Sequence, residues 1–190
     1  EALYKQVRDL GDGNLLTMFL SDTPYHIEGL LQLVHLFVMM GVWDKAHELT
    51  RRIVWIMESS ALDSFRPHLA ACRLGPTIDP EKDKPNRLFF KALCIHLQLT
   101  FRLRLVSCAV RMASVILSLD PVHDPCHMWL KLDTYYLSAC FHSTLQDIYF
   151  ADPPVQENDW PPAVMPSWAF SVALSVRKAG DVRTNRPPDV

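Results

Sequence analysis

The chain has 190 residues, 49% hydrophobic and 21% charged, the balance of a globular protein long enough to bury one proper core. A net charge of −2 gives no general attraction to phosphate backbones or anionic membranes, which argues against bulk nucleic-acid binding by this chain. No apolar run approaches the roughly 18 to 20 residues of a membrane helix. The opening EALYKQVRDL is neither a signal peptide nor a methionine start, so the chain reads as a piece of something longer. The five cysteines are odd in number and mostly sit in apolar helical surroundings, which predicts reduced thiols and a reducing compartment, the cytoplasm with the nucleus as a second location.

In chain order, Leu3, Val7 and Leu10 share one helical face, the GDG at 11–13 breaks it, and Asn14 is placed to cap a short helix, LLTMFLSD. Thr23-Pro24 reads as a cap followed by proline at the first helical position. Ile27, Leu30, Leu31, Val34, Phe37 and Val38 then carry a helix to its stop at Gly41. From Asp44 to about Ser59 a second helix buries Ala46, Leu49, Ile53 and Met57, antiparallel to the first because the loop is so short. Residues 61–85, with five prolines and glycines and a charged EKDK, predict a long irregular connection. Asn86 then caps RLFFKALCIHLQLTFRLRL, apolar nearly all round and so the expected central helix.

The next helix carries Ala109, Ala113 and Ile116 on one stripe and ends at Asp120-Pro121, where proline has no amide to continue the ladder. Asp124-Pro125 is the expected restart, cap and first position of a helix with Met128, Leu132, Tyr135 and Ala139 on its inner stripe. Ser143 is placed to cap TLQDIYF, a proline-rich crossing follows at 152–166, and a last helix runs from Ser167 to Ala179, closing at Gly180. The expected organisation is one helical domain over 1–180 and a disordered tail over 181–190.

Catalytic chemistry finds little footing. The one tight group of metal-ligand types is His123, Cys126 and His127, but a structural zinc needs four converging ligands and neither CxxC pairs nor HExxH are present. Cys126 and His127 are adjacent, and adjacent helical side chains diverge, which disfavours a thiol and base dyad. With no GxSxG elbow and six glycines in all, the chain is not expected to be an enzyme, and no metal or cofactor is expected. Arg102 and Arg104 stand out because they end the most apolar helix, where a carboxylate or phosphate partner could bind. Trp160, Trp168 and Phe170 border the proline-rich crossing and are expected mainly to pack it onto the helices.

Two stretches, Gly41 to Ala46 and Ala109 to Pro121, share the small residues and terminal proline of a tetratricopeptide unit, although they lie much further apart than its ~34-residue period. The fold expected is all-α, a tetratricopeptide-like array of helical hairpins (an α-α superhelix) with divergent repeats and a long inserted loop. Pro24, Tyr25, Gly41, Ala46, Ala109, Ala113, Asp120, Pro121, Asp124 and Pro125 are the residues expected to shape it.

Four ordered segments, PYHIEGLLQL, CRLGPTIDPEKDKPNRLFFKAL, SVILSLDPVHDP and MPSWAFSVAL, resemble the transcription factor 25 family, known in fungi as ribosome quality control complex subunit 1. The resemblance departs at the loop before Asn86 and at Val122-His123, where the family usually carries acidic residues. It implies a non-catalytic scaffold on the large ribosomal subunit, working with a listerin-type E3 ubiquitin ligase, ubiquitin and an AAA unfoldase to clear stalled nascent chains. Any RNA contact is expected through flanks this chain lacks. The alternative is a generic tetratricopeptide-like peptide-binding module in a nuclear or chaperone assembly.

Overall fold

Helical periodicity and the capping chemistry between helices govern the architecture. The computed structural model describes residues 2–60, 78–79, 82–121, 123–151 and 162–184. Regular structure among the described residues is entirely helical: α1 (Ala2–Leu10), α2 (Gly13–Asp22), α3 (Ile27–Met39), α4 (Trp43–Ser60), α5 (Lys84–Arg102), α6 (Val106–Leu119), α7 (Trp129–Ser138), α8 (His142–Phe150), a 3₁₀ turn at Pro162–Val164, and α9 (Pro166–Thr184). The chain divides into two units, Glu1–Leu105 and Val106–Val190. Within each, helices adjacent in sequence pack on one another, α1 through α5 in the first and α6 through α9 in the second. The expected all-α class and its repeat-like packing of neighbours are what is observed.

In the first unit, α1 buries Tyr4 and Val7, while Leu3 and Leu10 are 60% and 69% exposed. Its inner face is therefore centred on Tyr4 and Val7, and of the predicted Leu3, Val7 and Leu10 stripe only Val7 lies on it. The cap of α2 is Asp12, whose carboxylate accepts from the Asn14 amide at 2.8 Å; Asn14 itself lies inside the first turn. Thr23 does not open α3, because its amide already closes α2 on the Phe19 carbonyl. A turn at Pro24 and Tyr25 intervenes, and His26 caps α3 through Nδ1, which accepts from the Gly29 amide at 3.1 Å. A Cβ on Gly29 would lie 3.1 Å from Leu20 Cδ2, so the glycine lets α2 and α3 approach closely.

At the other end of α3 the chain turns through Gly41 at φ 75°. The Gly41 amide donates to Val38 O and the Val42 amide to Phe37 O, the paired bonds of a Schellman stop. Helix α4 buries Ala46, Thr50, Ile53 and Val54, with Leu49 and Met57 only half-buried, since it packs on both α3 and α5. Helix α5 begins at Lys84 rather than Asn86: Asp83 precedes it and Pro85 sits in its first turn, where a preset φ and a missing amide cost nothing. Asn86 instead donates its side-chain amide to Asp79 O. Phe89, Phe90, Ala92, Leu93, Leu97 and Leu99 are buried along α5, which touches both α3 and α4 and is central to this unit. The predicted long connection falls mostly outside the described residues.

Ala46 is fully buried where α4 meets its neighbours. Ala46→Leu should therefore overpack the contact and lower stability by about 1 to 3 kcal/mol. Urea titration would read this, and an unchanged midpoint would mean that the site has slack.

In the second unit, Ala109, Ala113 and Ile116 line the buried face of α6. The predicted restart at Pro125 is not observed. Asp124 and His127 both take left-handed backbone, at φ 39° and 50°, and α7 begins only at Trp129. Asp124 still serves that helix from a distance, its Oδ2 accepting from the Trp129 amide at 2.9 Å. Met128, Leu132 and Tyr135 are buried as the stripe predicts, with Ala139 half-buried.

Helix α8 starts at His142, so Ser143 lies in its first turn and does not cap it. Helix α9 runs through Gly180 to Thr184; a single glycine weakens a helix by about 1 kcal/mol without ending it. The first four residues of the expected tail are thus helical, and 185–190 and most of the proline-rich crossing lie outside the described residues. Trp168, Ser171 and Ser175 bind α9 to its neighbours. Trp168 Nε1 donates to Trp129 O at 2.7 Å, Ser171 Oγ donates to Asp133 Oδ2 at 2.8 Å, and Ser175 Oγ accepts from Gln146 Nε2 at 3.0 Å. Trp168 is buried and Phe170 faces outward, while Trp160 lies outside the described residues.

Candidate partner-binding groove

The first unit carries two open grooves flanking the α3 and α4 hairpin. One, of ≈ 620 Å³, is walled by Val34, His35 and Val38 of α3, Trp43 at the start of α4, and Ile95, Leu99 and Arg102 of α5, with Arg104 beyond. The other, of ≈ 630 Å³, includes Leu33, Phe37, Lys45, Arg51, Arg52 and Trp55 but also Glu48, which offsets part of its positive charge. The first is where the two predicted partner-binding residues fall.

Each arginine is placed by a different device. The Arg102 guanidinium lies over the Trp43 ring, 3.7 Å from its centroid, a cation-π stack that holds the group flat. Arg104 sits just past the end of α5 at φ 64°, in the left-handed position of a second Schellman stop. Its amide donates to Phe101 O and the Leu105 amide to Thr100 O. Glycine is the usual occupant of that position because a Cβ is disfavoured there. A third stop of the same kind ends α7, with Cys140 at φ 60°.

The wall between α4 and α5 is fixed by a buried polar lattice. Thr50 Oγ1 donates to His47 O at 2.8 Å and Thr100 Oγ1 donates to His96 O at 2.7 Å. With each hydroxyl proton on a carbonyl of its own helix, each hydroxyl oxygen accepts an imidazole N–H from the other: His96 Nδ1 to Thr50 at 2.8 Å, His47 Nε2 to Thr100 at 3.1 Å. The two imidazoles stack with centroids 4.6 Å apart. Burial, then the neighbouring His47 and Arg51, push the His96 pKa down to about 4; burial and Arg51 lower that of His47 as well. The pair is therefore neutral at physiological pH and forms a satisfied structural contact.

The residues expected to shape the fold occupy varied places. Pro24 offers its carbonyl to Arg52 Nη2 at 3.2 Å, and the same guanidinium lies 6.0 Å from the exposed Tyr25 ring. Gly41 and Ala46 lie at the end of α3 and within α4, while Ala109 and Ala113 lie on the inner face of α6. Asp120 is buried, its Oδ1 accepting from the His123 amide at 3.2 Å and both carboxylate oxygens lying 3.0 Å from His123 Nδ1. Pro121 and Pro125 are half-buried on either side of that turn. Of the described cysteines, Cys108 and Cys140 are free, as expected, but exposed rather than buried, whereas the half-buried Cys94 and Cys126 are disulfide-bonded. Among the described residues no group of three or more His, Cys, Asp or Glu side chains is arranged to hold a metal ion, and no helix is long and apolar enough to cross a membrane.

Sequence reasoning singled out Arg102 and Arg104 but missed Trp43 and His35, which complete the groove. The tryptophan directly after the Gly41 stop was a signal for a ring at a helix start, yet nothing in its spacing linked it to Arg102.

A family profile described as "Transcriptional repressor TCF25" matches residues 1–187. The chain is 27% identical over 166 residues to the human protein named "Ribosome quality control complex subunit TCF25", covering 85% of this chain and 23% of that one. It is 28% identical over 176 residues to "Probable transcription factor claV" of Ampulloclitocybe clavipes, covering 88% and 22%. It is 26% identical over 123 residues to "Ribosome quality control complex subunit 1" of Saccharomyces cerevisiae, covering 65% and 16%. The chain thus spans less than a quarter of the length of these relatives. No solved structure matches it significantly. With the profile spanning nearly the whole sequence, the chain belongs to the transcriptional repressor TCF25 family.

Proposed function

We propose that this chain is a non-catalytic adaptor segment of the ribosome-associated quality control machinery. The observation that carries the reading is the family match over residues 1–187, together with relatives in animals and yeast named as subunits of that complex. In this role the helical surface brings together a listerin-type E3 ubiquitin ligase, ubiquitin and the large ribosomal subunit, ahead of extraction of the stalled chain by an AAA unfoldase. Arg102 and Arg104 are the contacts to a partner, in the cytoplasm and, secondarily, the nucleus.

Affinity isolation tests the reading. Tagged protein from cells that accumulate stalled ribosomes should recover large-subunit particles and a ubiquitin ligase; recovery of neither would refute it. The double variant Arg102→Gln, Arg104→Gly should cut that recovery by about tenfold while the thermal midpoint falls only slightly, because both side chains are exposed, losing the stack on Trp43 costs about 0.5 to 1 kcal/mol and glycine eases the left-handed stop. A loss that tracks unfolding would remove these residues from the interface.

The family description and the fungal relative named as a transcription factor favour a second reading, a nuclear peptide-binding module. Association with chromatin fractions, with no ribosomal particles recovered, would favour it over the first.

A further inference from the structure

The ≈ 620 Å³ groove specifies the chemistry of what it holds more narrowly than "partner". We infer that it binds an acidic linear peptide, with Arg102 and Arg104 taking carboxylates while an adjacent apolar side chain enters between α3 and α5. The inference deepens the adaptor reading, on which it rests only for the identity of the protein that carries the peptide.

Charge is the first argument. The lining contains two arginines and a histidine and neither aspartate nor glutamate. Among the described residues neither arginine forms an ion pair. Arg102 complements the α5 dipole, as any basic residue at a helix C-terminus does, but that leaves its hydrogen-bonding capacity unused. Stacked on Trp43, the guanidinium spends its face on the ring and keeps its in-plane N–H donors for a ligand, the geometry that suits bidentate contact with a carboxylate.

Position is the second. Arg104 occupies a left-handed backbone site where glycine would be easier, so stopping the helix does not by itself call for a long cationic side chain there. The walls are the third. The partly exposed Val38, Trp43 and Ile95 offer apolar surface for a ligand group that a phosphate backbone lacks. Two arginines in a chain of net charge −2 also make a weak electrostatic footprint for RNA.

The test is fluorescence anisotropy on the full 190-residue chain with four labelled probes: a peptide with two leucines flanked by glutamates, its glutamine twin, its phosphoserine twin and an oligouridylate. The glutamate peptide should bind at least about tenfold tighter than the glutamine twin and weaken with salt. Arg102→Gln should lose most of that preference. Arg104→Gly should also weaken binding while its denaturation midpoint stays level or rises, a combination that a purely structural arginine would not give. Equal affinity for the glutamate and glutamine peptides, no binding of either, or tightest binding of the phosphopeptide or oligouridylate would overturn the inference. Peptide binding without ribosome recovery would sink the quality-control reading alone; ribosome recovery without peptide binding would sink this inference alone.

Discussion

Trp168→Ala should destabilise the second unit by about 3 to 5 kcal/mol, a large part of the stability of a domain this size. Three losses combine. The indole is fully buried, its ring lies tilted against Trp129 with centroids 6.1 Å apart, and its Nε1 donates to Trp129 O at 2.7 Å. Removing the ring leaves a cavity between α7 and α9 that rigid helices close only in part. Trp168→Phe refills most of the volume without the donor and should cost less. Urea unfolding followed by far-ultraviolet circular dichroism would measure both; a loss below about 1 kcal/mol for the alanine variant would show that Trp168 does not anchor α9.

The first unit should lose stability in mild acid. His96 titrates at about 4 when folded against an ordinary value of 6.5, so between those limits the unfolded chain binds the proton that the folded one refuses. Its contribution is complete above pH 6.5 and is lost as pH falls toward 4, by roughly 3 kcal/mol in all. His47, shifted the same way, adds to the slope. His96→Asn places an amide N–H where Nδ1 meets Thr50 and cannot titrate, so its stability should depend much less on pH over this window. Denaturation midpoints at several pH values would decide it, and equal slopes for variant and parent would place the acid sensitivity elsewhere.

Much of this was legible from periodicity. The alanine stripe of α6 and the apolar run of α5 face inward because burial at helical spacing leaves few alternatives for such residues. Helix ends were harder. Gly41 announces its stop, but Arg104 and Cys140 make the same turn without a glycine, their left-handed backbone held by the paired amide bonds rather than by residue preference. The Asp124-Pro125 step misled for a related reason, since the aspartate caps a helix four residues further on than local grammar suggests. At the groove, the two arginines were visible as charges ending an apolar helix. Their stacking partner was not, because pairing Trp43 with Arg102 depends on how α4 and α5 are aligned.

That alignment is set by the histidine and threonine lattice. Thr50 meets His96 and His47 meets Thr100, an antiparallel register in which each imidazole has one specific hydroxyl opposite it. Sliding α4 along α5 by one turn, about 5.4 Å, would strand both pairs in an apolar seam, where each unmet polar group costs on the order of 1 to 3 kcal/mol. The lattice thus acts as a vernier for the surface. It makes the sliding coordinate discrete, and with it the placing of the Trp43 ring beneath Arg102.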